Sequence, residues 1–429
     1  MKRAELRVRD SYDIELTGVR KALGVWIAGL IDLALARQER EKIIYYNYPT
    51  IGGLGFTTSV LGGEGTLCVC PEFILDLALG GIFGKITPIL EAAEEQALPL
   101  SQAQCGLNKL RVGAIIKGVI PVNDLSLTSS FFCDQGPKTD EWLHEVYNIP
   151  WVPVDSVMDS DWNEFPNIRP DRISYLGTEI NHAFEQLMRE IGKTPSEEDW
   201  AVYNEQYNKF ATAMSQINQF MKNDPVPIGQ GDIQLVRLCR NGIGYGQFPQ
   251  LLKAMDIMIS ELAKRVEEGK GPFPKGAPRV FGTLLPLTDQ PLVHQIERAG
   301  ISIPVTSFTY EASLGQAQSS YTNWWERRAE VELARGMFHS TSGYLYWLKK
   351  GCRDWDVDGV IWTWGLHCRP FVLTGSIYKK AIEQELGIPT LSLEIDWWDN
   401  RTYSAEALTT RIETFAQLLT TRKAKGRSS

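Results

Sequence analysis

The feature that most limits the fold of this chain is a change of rhythm after residue 278. From there "RVFGTLLP" reads as a strand, "DQPLVHQIERAG" as a helix ending on Gly300, and "ISIPVTSF" as a strand. A long helical region follows. Then "VDGVIWTWGLHC" is a strand, "SIYKKAIEQELG" a helix, "IPTLSLEID" a strand, and "SAEALTTRIETFAQLLTTRKAKGRSS" a final helix with a basic tail. Alternation of this kind predicts a parallel sheet with helices on both faces, because parallel neighbours can be joined only by a long crossover.

The part before residue 278 is more mixed. Residues 14–40 read as a helix broken or bent near its glycines. "KIIYYNYP" (42–49) is a strand closed by Pro49, and a glycine-rich loop spans 51–65. "PEFILDLALGGI" is a helix with Pro71 in its first turn. "VGAIIKG" and "DLSLTSSFF" read as strands, the second buried. Ile173, Leu176, Ile180, Phe184, Leu187 and Ile191 share one helix face, and Gly192 stops that helix. The next helix opens with Thr194 as N-cap, Pro195 behind it and Glu197 completing a capping box. A further helix, "FPQLLKAMDIMISELAKRVEEG", runs into "KGPFPKGAP" (270–278), a Pro/Gly/Lys connector.

A chain of 429 residues is too long for one hydrophobic core. The expected organisation is therefore α/β, with two lobes of mainly parallel sheet flanked by helices, plus an N-terminal helical arm. Residues 1–66 form the arm and the Gly-rich loop, 67–272 a first α/β domain with a helical middle, and 273–429 a second α/β domain. No internal repeat is visible.

Bulk properties exclude several classes. Net charge is −8, so no basic face advertises nucleic acid or an anionic membrane surface. No apolar run reaches the roughly 18 residues that span a bilayer, and the N-terminus lacks the apolar centre of a secretory signal. A cytoplasmic protein is expected. Nucleotide motifs also fail. "IGKTP" (191–195) has Gly192-Lys193-Thr194, but Leu187 stands where a phosphate-binding loop needs glycine, and a helix precedes it. The 51–65 segment has no complete dinucleotide fingerprint. Neither a nucleophile elbow nor an H-E-x-x-H pair is present. His144, His182, His294 and His339 are scattered and read as structural.

The cysteines carry more. Seven in a chain of this length do not make a disulfide framework. Cys133 ends one predicted strand, Cys368 ends another in the other α/β half, and Cys105 sits just before "VGAIIKG". In open parallel sheets, ligands gather beyond the carboxyl ends of the strands. Spacing leaves two readings open. The three thiols are either small buried hydrophobes or the convergent ligands of an iron–sulfur cluster with one iron left free. Three thiols without a C-x-x-C knuckle are unlike structural zinc. Thirteen tryptophans are many for one chain. Trp362 and Trp364, on the strand leading to Cys368, and Trp397-Trp398, after the last strand, are candidate walls of a dry pocket or plain core. His367, beside Cys368, is a candidate tuning group.

Four segments together carry a resemblance: "LPLSQAQCGLNKLRVGAIIKG", "SSFFCDQGPKTDEWL", "DGVIWTWGLHCRPF" and "GIPTLSLEIDWWDNRTYSAEALTTRIETF". Over residues 67 to 420 the chain resembles the 2-hydroxyacyl-CoA dehydratase / class I benzoyl-CoA reductase family. "GKGPFPKGAPRV" and the helical middle look most like the larger cluster-bearing, substrate-reducing subunit of an ATP-dependent benzoyl-CoA reductase. The resemblance implies one [4Fe-4S] cluster held by Cys105, Cys133 and Cys368. It also implies a related cluster-bearing second subunit, an ATP-hydrolysing iron–sulfur activator as electron source, and an aroyl-CoA substrate whose ring is reduced. A 2-hydroxyacyl-CoA dehydratase subunit and an electron-transfer subunit that binds no substrate are the alternatives. Cys68 and Cys70, in "TLCVCPEF", depart from the family pattern and read as structural, as do Cys239 and Cys352. "PVTSFTYEASLG" carries no cysteine, which argues against a double-cubane cluster. Asp134 is expected to cap the helix after Cys133, with Gly136-Pro137 turning the chain away from the site.

Overall fold

The structure is a computed structural model that describes residues 2–47, 52–96, 104–131, 133–155, 161–162, 164–283, 290–307, 309, 321–334, 341–365 and 367–426. Among the described residues, eight strands form two four-stranded sheets. The first sheet contains β1 (Lys42–Tyr46), β2 (Thr66–Val69), β3 (Leu125–Ser129) and β4 (Trp151–Val154), in the order β2-β1-β3-β4. The second contains β5 (Arg279–Gly282), β6 (Ser302–Thr306), β7 (Gly359–Trp364) and β8 (Thr390–Glu394), in the order β6-β5-β7-β8. All the pairings are parallel. The α/β expectation holds, and β1, which precedes residue 66, is an internal strand of the first sheet.

The two sheets share one topology. In each, the first strand has the second on one side and the third on the other, so the strand order reverses between them. That reversal opens a crevice beyond the carboxyl ends of β1 and β3, and an equivalent one beyond β5 and β7. No repeat is visible in the sequence because what repeats is connectivity, not side chains. The strands also read as parallel strands should. β1, β3 and β5 are buried almost throughout, while the edge strands β4 and β8 leave some residues half-buried or exposed.

Several local expectations need correction. The Thr17–Glu39 helix runs unbroken through its glycines. It packs on the Phe248–Glu267 helix, and its Trp26 indole donates to the Leu235 carbonyl at 2.8 Å. The supposed glycine-rich loop is a helix over Gly52–Gly62 with Leu54, Phe56, Val60 and Leu61 buried. "VGAIIKG" is not a strand but the second half of the Gly106–Ile116 helix and the turn after it. That helix is buried on every side, so it lacks the amphipathic period that would have marked it. The Pro170–Ile191 helix stops at Gly192, whose φ of 74° suits glycine, as expected. The following helix starts later than expected, at Glu197, with Ser196 and Asp199 forming the capping box in place of Thr194 and Glu197. No helix among the described residues is long and apolar enough to cross a membrane.

Candidate functional site

Cys133 and Cys368 do not end their strands. Each lies four residues past the last strand residue, Ser129 of β3 and Trp364 of β7 respectively. Because the two sheets have the same strand order, the two cysteines occupy equivalent places beyond the third strand of each. A helix follows both, Gln135–Tyr147 and Arg369–Glu385. Cys368 is itself the residue before its helix, Cys105 is the residue before the Gly106–Ile116 helix, and Cys133 is one residue further out. Three helix N-termini, with their free N–H groups and positive dipole ends, therefore meet the three thiols. Those N-termini pull toward thiolate, the form that binds metal, and work against burial.

The remaining thiols differ in kind. Cys68, Cys70, Cys239 and Cys352 are buried, while Cys105, Cys133 and Cys368 are half-buried. Cys70 donates to Glu72 Oε2 at 3.1 Å and Cys239 to the Leu235 carbonyl at 2.7 Å, the contacts of packed structural thiols. Burial alone pushes Cys68 and Cys239 up, and it drives Cys352 up to about 12. At the site, electrostatics join burial. Cys105 is pushed well above its ordinary value first by burial, then by Asp396 and by the charges of Cys368 and Cys133. Cys368 is raised by burial and then by Cys133. The three thiols sense one another, and the N–H groups of Leu107 and Phe371 pull Cys105 and Cys368 back toward the thiolate.

One side chain ties the three cysteine segments together. Gln135, two residues after Cys133, accepts a hydrogen bond from the Cys105 N–H at 2.7 Å through Oε1. Its Nε2 donates to the carbonyl of His367, next to Cys368, at 2.9 Å. Gly136 follows because nothing larger fits. A Cβ there would stand 1.6 Å from Asn47 Nδ2, at the end of β1. Gly136 and Pro137 do not turn the chain away, as expected from sequence, but lie in the first turn of the helix. Asp134 makes no capping hydrogen bond through its side chain and pairs instead with Lys138 at 2.5 Å.

The loop after β8 closes the other side. Asp396 Oδ2 is 3.1 Å from His367 Nε2, at a distance for charge contact but without hydrogen-bond alignment. Asp396 Oδ1 accepts from the Trp398 N–H at 3.0 Å. Trp398 lies over the Cys105–Gly106 junction, where a Cβ on Gly106 would be 3.1 Å from Trp398 Cβ, and its ring meets Phe73 edge-on. Trp397 packs on Phe371, in the first turn after Cys368, and donates to Thr363 Oγ1 at 2.9 Å. Trp362 is buried among Tyr344, Phe371 and Tyr378. Trp364 is half-buried and donates to Ser392 Oγ at 2.9 Å. The loop thus brings Trp397 and Trp398 beside the cysteine segments, where His367 already stands next to Cys368; Trp362 reaches the same Phe371 from the second sheet, and Trp364 packs toward β8.

Of the other histidines, His144 bonds the Ile149 carbonyl at 3.0 Å and packs on Trp151, His294 contacts Ser11 and Glu297, His182 is exposed, and His339 lies outside the described residues. Gln135 and Asp396 were not singled out from sequence. A signal for both existed in position, since each stands within two residues of a cysteine or of a strand end.

Among the described residues, no set of three His, Cys, Asp or Glu side chains is spaced around a single metal ion. A thiol-ligated cluster asks for something else, thiolates that bind different irons and so stand apart. Three mutually sensing thiols at helix N-termini are the donor chemistry such a cluster takes.

The alignment with the α subunit of (R)-2-hydroxyglutaryl-CoA dehydratase from Acidaminococcus fermentans is 22% identical and covers 68% of this chain and 60% of that protein. The alignment with the (R)-phenyllactyl-CoA dehydratase α subunit of Clostridium sporogenes is 20% identical and covers 76% of this chain and 80% of that one. Residues 67–419 match the family described as 2-hydroxyglutaryl-CoA dehydratase, D-component, and the chain is a member of that family.

Proposed function

We propose that this chain is the iron–sulfur subunit of an enzyme acting on acyl-CoA thioesters, with Cys105, Cys133 and Cys368 holding one [4Fe-4S] cluster. The observation that carries this reading is the convergence of three half-buried thiols at three helix N-termini, stitched by Gln135. When bound, the cluster would supply a low-potential electron and one iron open to substrate oxygen. The chain's own residues do the rest. Burial and the Asp396 charge make the free thiols poor acids, so they ionise fully only against a cation. The loop carrying Trp397 and Trp398 keeps water from the thiol segments, which a reducing site needs.

Dehydration of a 2-hydroxyacyl-CoA is the leading chemistry, supported by the names of both relatives. Those names also describe α subunits, which supports a second, related subunit for this chain. An ATP-hydrolysing iron–sulfur activator is the proposed electron source, since the sequence contains no nucleotide motif of its own. Reduction of an aroyl-CoA ring, as in benzoyl-CoA reductase, is the second reading. It is favoured by the aromatic rings of Phe73, Phe371, Trp397 and Trp398 beside the thiol segments.

One experiment separates them. The anaerobically purified complex with activator and ATP is given benzoyl-CoA or a panel of 2-hydroxyacyl-CoA thioesters. Ring reduction consumes reductant in proportion to product, whereas dehydration recycles its electron and needs only a catalytic amount. An enoyl-CoA product at catalytic reductant supports the dehydratase, and a dienoyl-CoA product supports the reductase. Iron-free protein with neither activity would end both readings.

A further inference from the structure

We infer that Gln135 is a positioning residue that holds the Cys368 segment at a set distance from Cys105 and Cys133. The inference rests on the proposed three-thiol site and goes beyond it by naming what assembles that site. Cys105 and Cys133 belong to the lobe of the first sheet, and Cys368 to that of the second. Bringing thiols from two lobes together needs a contact that crosses between them at the thiols themselves. Gln135 is 7% exposed and uses both ends of one amide for this. Oε1 takes the Cys105 N–H at 2.7 Å, and Nε2 gives to the His367 carbonyl at 2.9 Å, across 232 residues of chain.

The backbone of Gln135 is fixed as well. Thr139 Oγ1 donates to the Gln135 carbonyl at 2.8 Å and in turn accepts from Gln104 Nε2 at 3.0 Å, so the residue before Cys105 is held to the same helix turn. The Gly136–Asn47 approach leaves that turn no room to move closer to β1. The amide is therefore a short, rigid spacer with one acceptor and one donor. A carboxylate of the same shape keeps the acceptor for Cys105 but has no donor for His367, and its charge repels that carbonyl. The two halves of the clasp can be removed separately.

The test uses the full-length chain stripped of iron and kept reduced. Equal amounts of ferrous and ferric iron, with sulfide equal to the total iron, are added anaerobically, which supplies the atoms and the oxidation level of a [4Fe-4S] cluster and shields the thiols that hold it. After desalting, cysteines left open are alkylated with iodoacetamide and located by mass spectrometry. In the wild-type chain iron and sulfide should protect Cys105, Cys133 and Cys368 together. In Gln135→Glu, Cys368 alkylation after this treatment should rise about tenfold while Cys105 and Cys133 stay protected, a loss equivalent to roughly 1.4 kcal/mol. In Gln135→Leu, Cys105 should also lose protection. The buried thiols of Cys68, Cys70, Cys239 and Cys352 serve as the fold control, since they stay unalkylated only in a folded chain. Full protection of all three site thiols in both variants would overturn the role of Gln135 and leave the three-thiol site standing. Failure of the wild-type chain to protect the three together would overturn the site and the inference with it.

Discussion

His367 Nε2 stands 3.1 Å from Asp396 Oδ2, with both side chains almost completely buried. The contact joins the segment that carries Cys368 to the loop after β8. The same carboxylate faces Gly106, whose added Cβ would be 3.1 Å from Oδ2, and so also borders the Cys105 helix. Gln135 spans the thiol segments on one side and Asp396 on the other. A neutral amide and a carboxylate thus frame one site, and the carboxylate leaves its mark on the thiols. It raises both Cys105 and Cys368.

Asp396→Asn should lower the pH at which Cys105 becomes reactive. The substitution can keep the Oδ1 acceptor for the Trp398 N–H and so the loop, while removing a negative charge that disfavours the thiolate. The alkylation rate of Cys105 in the iron-free chain, measured against pH, should move to lower pH. An unchanged profile would show that the Asp396 charge does not act on this thiol.

Replacing the cysteines should sort them into two groups. Cys105→Ala, Cys133→Ala and Cys368→Ala should each lower bound iron and sulfide strongly in anaerobically purified protein. Cys239→Ala and Cys352→Ala remove packed thiols with no partner at the site and should keep iron at the wild-type level. Equal iron in all five variants would defeat the assignment.

Behind the site lies an ion cluster with no access to water. Arg111 Nε is 3.1 Å from Glu72 Oε1, and Arg111 Nη1 is 3.0 Å from Asp140 Oδ1, with side-chain exposures of 0%, 0% and 1%. Arg111 is on the Cys105 helix and Asp140 on the helix after Cys133, so the cluster locks those two helices together. Arg111→Met leaves two buried carboxyls unpaired and should cost about 3–5 kcal/mol. Burial raises both carboxyls even in the intact cluster. Without the guanidinium they rise further, so the folded state holds their protons and the damage grows as pH rises. Urea midpoints at pH 5 and pH 8 test this, and a smaller loss at pH 8 would contradict it.

How far the sequence could be read depended on where the information lay. The Ile173 to Ile191 face has a solvent side, so its period shows, and its helix stands as expected. The Gly106–Ile116 helix has no solvent side, since even Lys109 and Arg111 are buried, and its apolar run passes for a strand. The Gly52–Gly62 helix reads as a loop because glycine is a poor helix former, yet Leu54, Phe56, Val60 and Leu61 bury enough to fold it. Cys133 and Cys368 were legible as thiols near strand ends, but the four-residue step from strand to cysteine and the helix just beyond it were not. The place of Gln135 beside Cys133 could be seen, but its role was hidden for a different reason. Its partners lie 30 and 232 residues away, and no local pattern records a bond of that length.

The N-terminal arm should make the fold sensitive to pH through Asp232. This carboxyl, in the first turn of the Gln230–Arg237 helix, is 4% exposed and accepts from the Asp13 N–H at 2.9 Å. Burial raises it from an ordinary 3.8 to about 8, against the pull of that hydrogen bond and with the charges of Glu297 and Asp13 adding to the rise. Because the folded chain holds this proton more tightly than the unfolded one, the stability it contributes is complete below about pH 4. It is lost as pH rises, by about 1.4 kcal/mol for each unit, until about pH 8. His294 acts in the same direction, for although burial works against its charged form, Glu297 holds its pKa above the ordinary value. Asp232→Asn keeps an acceptor for Asp13 and cannot ionise. The variant should therefore lose less Tm than the wild type between pH 5 and pH 8 and be the more stable of the two at pH 8. Parallel Tm profiles for the two proteins would show that Asp232 does not hold its proton in the folded chain.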